Sequence, residues 1–100
     1  MKYFLHPETE LDLREAASYY KERAGTALSQ ALFAEFEHTM QLLVQHPLLG
    51  KLWLFGKRRF VMKHFPYAII YMVVAEEIRV LAVAHHSRRP GYWRKRNWQS

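Results

Sequence analysis

Along the chain the spacing of hydrophobic positions changes twice. "KYFLH" (Lys2–His6) is a short β candidate, and Pro7 then suits the first turn of a helix, where its missing N–H costs nothing. Leu13, Ala16, Ala17, Tyr20 and Ala24 recur at helical spacing. Glu8, Glu10 and Asp12 favour the start of that helix and Lys21 and Arg23 its end, with Gly25 as a stop. Thr26 is placed to cap a second helix. Its stripe is Leu28, Leu32, Phe36, Met40 and Leu43, widened by Phe33 and Val44, and Pro47 ends it. With only Gly25 and Thr26 between them, the helices are expected to form an antiparallel hairpin.

After a loop through Pro47–Gly56 the period becomes that of strands. Arg58–His64, Tyr67–Val74 and Ile78–His85 are rich in β-branched and aromatic residues. "YAIIYMVV" is apolar on both alternating faces, so it reads as a central strand with helices on one side and partial cover on the other. Pro66 marks a turn or bulge, "AEE" a tight turn, and Tyr92–Asn97 a short terminal helical turn. The expected layout is β-α-α-β-β-β, an α+β fold with an antiparallel sheet against a helical hairpin, in one domain over residues 1–100. Tyr19, Tyr20, Phe33 and Phe36 fit core positions, and Glu35 and Glu37 a solvated face.

Composition sharpens this picture. Half of the residues are hydrophobic and 15% aromatic, which points to a packed globule. There are no cysteines, so disulfides, thiolate nucleophiles and cysteine zinc sites are excluded. The longest apolar run, Ala68–Ala75, is far short of the roughly 20 residues of a membrane helix. "MKYFLHPETE" lacks the pattern of a signal peptide, so a cytoplasmic protein without membrane contact is expected. Residues 1–50 hold four Lys/Arg against seven Asp/Glu, a balance of −3; residues 51–100 hold eleven against two, a balance of +9. That asymmetry suggests a polyanionic or acidic protein partner for the second half.

Three chemistries are conceivable for the basic half. His64, His85 and His86 are a weak metal set, because adjacent strand residues point to opposite faces, and no metal or cofactor is expected. Acid–base work on RNA would need proton carriers and cations; Lys63, His85, Arg88 and Tyr92 are the right types, though they equally fit a strand end and its packing. A recognition surface would use Arg58, Arg59, Arg88, Arg89, Arg94, Lys95 and Arg96 on phosphates or carboxylates, with Tyr92, Trp93 and Trp98 as anchors. The alternative there is a mixed tail whose aromatics cover the core, Trp93 first among them.

Taken together, "ELDLREAASYYKERAG", "HPLLGK", "RRFVMKHFPYAIIYMV" and "IRVLAVAHHSRRPGYWRKR" resemble the RelE/ParE superfamily of bacterial type II toxins, over residues 3–96. The F-P-Y-x-I-x-Y stretch (Phe65–Tyr71) and the P-G-Y-W stretch (Pro90–Trp93) place it nearer the ParE-like side. The resemblance implies a β-α-α-β-β-β fold and neutralisation by a cognate antitoxin that also carries the operator-DNA contact. ParE-like members act on DNA gyrase without a catalytic group. RelE-like members cut mRNA on the ribosome without metal, and commonly have an arginine where this chain has Ala68. For such cleavage the resemblance points to Lys57, Lys63, Arg88 and Tyr92; with His85, a proton carrier by type, Lys63, Arg88 and Tyr92 would carry it if it occurs. Arg58, Arg59, Arg88, Arg89, Tyr92, Trp93, Arg94 and Arg96 would bind target or antitoxin. An inactive toxin relative, or a basic adaptor for nucleic acid or antitoxin, is the remaining expectation.

Overall fold

The computed structural model describes residues 1–98; residues 99 and 100 of the expected domain lie outside it. The order is β1 (Lys2–Leu5), α1 (Pro7–Ala24), α2 (Thr26–Gln45), β2 (Lys51–Leu52), β3 (Arg58–Val61), β4 (Tyr67–Val74) and β5 (Glu77–His85), with 3₁₀ turns at Leu54–Gly56 and Tyr92–Lys95. One sheet runs β1-β5-β4-β3-β2. The two helices pack on one of its faces.

Its strand directions differ from expectation. β1 pairs with β5 in parallel, Tyr3 beside Ile78 and Leu5 beside Val80, so the sheet is mixed, not wholly antiparallel. The two helices carry the chain from β1 to the far edge as β2, and the antiparallel steps β2–β3–β4–β5 then bring β5 beside β1 in the same direction. β2 is an additional, two-residue edge strand paired with β3.

The helix hairpin is tighter than expected. Gly25 alone joins the helices, at φ 96°, and it precedes α2 with no side-chain cap; Thr26 is already helical. At the start of α1 the cap is His6, which lies outside β1: its Nδ1 accepts the Glu8 N–H at 3.0 Å. The His6 Nε2 lies 2.9 Å from the Asn97 carbonyl, so a neutral ring with its proton on Nε2 bonds at both ends.

β4 alternates between two cores. Tyr67, Ile69 and Tyr71 join Leu13, Leu32, Phe36, Met40 and Leu43 beneath the helices. Ala68 and Ile70 face the other way, where Trp93 covers them with Leu81 and Ala82. The expected partial cover of the second face is therefore the segment after β5. A bulge adapts β5 to both cores. Ile70 pairs with Ala82 and Tyr71 with Val80, which leaves Leu81 as the extra residue on the Trp93 side.

β3 stops at Val61, short of His64. The amides of Lys63 and His64 both donate to Glu35 Oε2, at 2.7 and 3.1 Å, and His64 Nδ1 lies 2.7 Å from Oε1. Glu35 is thus a cap for this turn and not a solvated residue. Tyr19 and Phe33 also depart from the expected core, being 48% and 38% exposed. No helix among the described residues is long and apolar enough to cross a membrane.

Candidate functional site

Where α1 crosses the end of β5 an open groove of about 360 Å³ runs between helix and sheet. Asp12, Glu15, Ala16 and Tyr19 line it from the helix, at steps of three and four that put them on one face. Tyr67, Val83, His85, Ser87, Arg88 and Tyr92 line it from the sheet and the following turn. The structure therefore brings together His85, Arg88 and Tyr92. It does not bring Lys63, whose turn is held by Glu35 outside this lining.

Local geometry defines what these groups offer. His85 Nδ1 accepts the Ser87 N–H at 3.0 Å and lies 2.8 Å from Ser87 Oγ, so a neutral ring directs its Nε2 proton outward. Its ring stands edge-on to Tyr67 at 5.0 Å. Burial pushes the Tyr67 hydroxyl up to about 12, and nearby Tyr20 adds to the effect. Burial also raises Tyr92, helped by Asp12 and opposed by Arg96 and Arg88. Both phenols are neutral proton donors at physiological pH, suited to hydrogen bonding and not to proton abstraction. The Arg88 guanidinium lies 3.9 Å from the centre of the Tyr92 ring.

Asp12 organises the groove floor. β1 ends opposite Val80, and beyond it Asp12 Oδ2 accepts the Val83 N–H at 3.0 Å. The same carboxylate takes two bonds from Arg96, at 2.7 and 3.1 Å, and Arg96 also donates to the Leu81 carbonyl at 3.1 Å. Burial alone would lower the Arg96 guanidinium, but the bonds and charge of Asp12 outweigh it and raise it further. Arg96 is a structural cation that ties the terminal segment to α1 and β5.

The other expected recognition residues divide in the same way. Trp93 is 1% exposed and has no surface to offer a partner. Arg58 reaches back to the carbonyls of Gly50 and Leu48, at 2.8 and 3.4 Å, bracing the loop after α2. Arg59 lies over Trp53 and Arg94 over Phe55, at 5.0 and 5.3 Å from the ring centres. Arg89 is exposed beside a shallow cleft of about 60 Å³ above Ala68. Ala68 itself is 2% exposed. No cluster of three or more His, Asp or Glu side chains spaced for a metal exists among the described residues.

Sequence reasoning missed Asp12, Glu35 and His6 as fixing residues, and Tyr19 and Tyr67 as groove walls. The Asp12–Glu15–Ala16–Tyr19 spacing was the available sign: a half-polar stripe beside the apolar one, too wet for a core and too aromatic for bulk solvent.

The fold is a helical hairpin on a five-stranded sheet with a basic, aromatic closing segment. The family described as the ParE toxin of the type II toxin–antitoxin system parDE matches residues 3–90. The chain belongs to this family. It is also similar to a chain of the chromosomal ParDE toxin–antitoxin system from P. aeruginosa, with a TM-score of 0.76 at 17% identity, covering 85% of this chain and 95% of that one. No curated protein sequence matches it.

Proposed function

We propose that this ParE-family toxin poisons DNA gyrase in the bacterial cytoplasm and is held inactive by a cognate antitoxin seated in the groove between α1 and β5. The groove carries this reading: it is open and places Tyr19, Tyr67 and the exposed Arg88 within reach of one ligand segment. An acidic, partly disordered antitoxin segment would fold onto it, Tyr19 and Tyr92 supplying apolar contact and Arg88 the charge. Operator DNA would be reached only through the antitoxin.

Gyrase is favoured over the ribosome by the second sheet face. Ala68 carries no cation, and Trp93 closes the sheet there. A nuclease needs cations near the growing phosphate charge, and with Lys63 outside the groove Arg88 is the one cation of its lining among the described residues. The convergence of His85, Arg88 and Tyr92 is the one observation that favours cleavage, so the test has two arms. Purified protein is assayed for inhibition of gyrase supercoiling and for cutting of ribosome-bound mRNA. Inhibited supercoiling with intact mRNA is expected. Cleavage with unaffected gyrase would replace this reading with the nuclease one, and silence in both would leave an inactive relative that binds only its antitoxin.

A further inference from the structure

The edge of the sheet formed by β2 and the 3₁₀ turn after it exposes a run of apolar side chains. Leu52 is 69% exposed, Phe55 54%, Trp53 41% and Leu54 37%. Beside them a groove of about 540 Å³ runs over Leu49, Phe60 and Val61. Single exposed apolar side chains are ordinary, but a run of four consecutive ones, from the end of an edge strand into the turn that follows, invites association unless a partner covers it.

Two further observations point to a built surface. Phe55 sits at φ 57°, ψ 35°, the left-handed region that bulky side chains avoid. It is held there by Trp93, edge-on at 6.1 Å, and by Gly91, where an added Cβ would come within 2.9 Å of its ring. The backbone thus carries strain while presenting an apolar ring to solvent, a pairing found at binding sites. The charge around it is also one-sided. Residues 38–75 contain no Asp or Glu. Lys51, Arg59 and Arg94 make no ion pair among the described residues.

We propose that Leu52, Trp53, Leu54 and Phe55, framed by Arg59 and Arg94, are the docking surface for an acidic, apolar-anchored segment of the toxin's protein target. This rests on the toxin reading above and separates the target surface from the antitoxin groove. Charge complementarity favours this partner: no carboxylate pairs with these cations among the described residues, so an acidic segment would meet unopposed positive charge. Protein is favoured over single-stranded nucleic acid because half of the strip is leucine, which does not stack on bases. Its two aromatic rings already have Arg59 and Arg94 over them.

The test uses the full chain, three single variants and one double variant, Phe55→Asn/Arg94→Glu. Phe55→Asn removes the anchor with a residue that tolerates the left-handed region; Arg94→Glu and Lys51→Glu reverse exposed charges without touching the core. Each is induced in bacteria for growth arrest, titrated against the cognate antitoxin, and assayed on purified gyrase. We expect the combined Phe55→Asn/Arg94→Glu variant to lose arrest about tenfold or more, with Lys51→Glu weaker in the same direction, while antitoxin affinity changes less than about threefold. If the wild type arrests growth but spares gyrase, the gyrase reading fails and the arrest comparison still decides the surface. Variants as toxic as the wild type would overturn the proposal. So would loss of antitoxin affinity, binding of oligo-dT that the variants abolish, or a wild-type dimer that the variants dissociate. A harmless wild type would sink the toxin reading and this surface with it.

Discussion

The α1–β5 groove and the β2 edge both present aromatic and cationic side chains, yet the groove takes one wall from the acidic half and the edge lies within the basic half. In the groove, charge is balanced. Asp12 is paired with Arg96, Glu15 faces the same space as Arg88, and the tyrosines are polar at their tips. At the edge, the apolar side chains are leucine, tryptophan and phenylalanine, and no carboxylate pairs with the flanking cations among the described residues. The lesson is that a net charge of +9 over half a chain is not one property. Arg58 and Arg96 are bonded inside the fold, while Arg59, Arg88 and Arg94 lie over rings with no carboxylate paired to them among the described residues.

The sharpest way to break this division is to remove what both surfaces stand on. Trp93→Ala should cost about 3–5 kcal/mol, because the side chain is buried under the edge and behind the groove, and both binding activities should fall together in melting and binding assays. Asp12→Ala should cost about 3 kcal/mol by leaving Arg96 and the Val83 amide without their acceptor, and it should loosen the groove before the edge. Asp12→Asn, which keeps an acceptor oxygen, should cost less in the same thermal scan. A Trp93→Ala protein as stable as the wild type would show that the terminal segment does not hold the second core.

A smaller effect separates loop fixing from charge. Burial would raise the Glu35 carboxyl, but the bonds it accepts from His64 and Lys63 hold it below the ordinary glutamate range. A depressed carboxyl contributes stability that is present at neutral pH and lost as pH falls through its folded value. Glu35→Gln should therefore lower the melting temperature at pH 7, and the gap should close in acid below the ordinary glutamate range. A gap independent of pH would assign the contribution to packing alone. Smallest of all, Arg88→Ala and Arg89→Ala should leave stability within about 0.5 kcal/mol, both being exposed, while Arg88→Ala alone weakens antitoxin binding.

Much of the fold was legible because period and burial agree. Of the expected α2 stripe Leu32, Phe36, Met40 and Leu43 are buried while Leu28 at its start is 36% exposed, and Tyr67–Val74 is the central strand its two apolar faces suggested. What escaped were features decided by tertiary contact. A strand's direction is not written in its side chains, so β1 could not be assigned as parallel from "KYFL". Two-residue β2 exists only through pairing with Arg58 and Arg59. Thr26 has the chemistry of a cap, but a one-residue link at Gly25 leaves it inside the helix. The groove was half legible. His85, Arg88 and Tyr92 follow one another in sequence and converge for that reason, whereas Asp12 and Tyr19 arrive from 60 or more residues away.

The separation of two surfaces is tested most directly by titrating the cognate antitoxin against two double variants of the full chain. One carries Tyr19→Ser and Arg88→Glu in the groove, the other Phe55→Asn and Arg94→Glu at the edge. The account predicts that the groove variant loses affinity by about tenfold or more and the edge variant keeps it. Loss confined to the edge variant, with the groove variant binding as the wild type does, would contradict it.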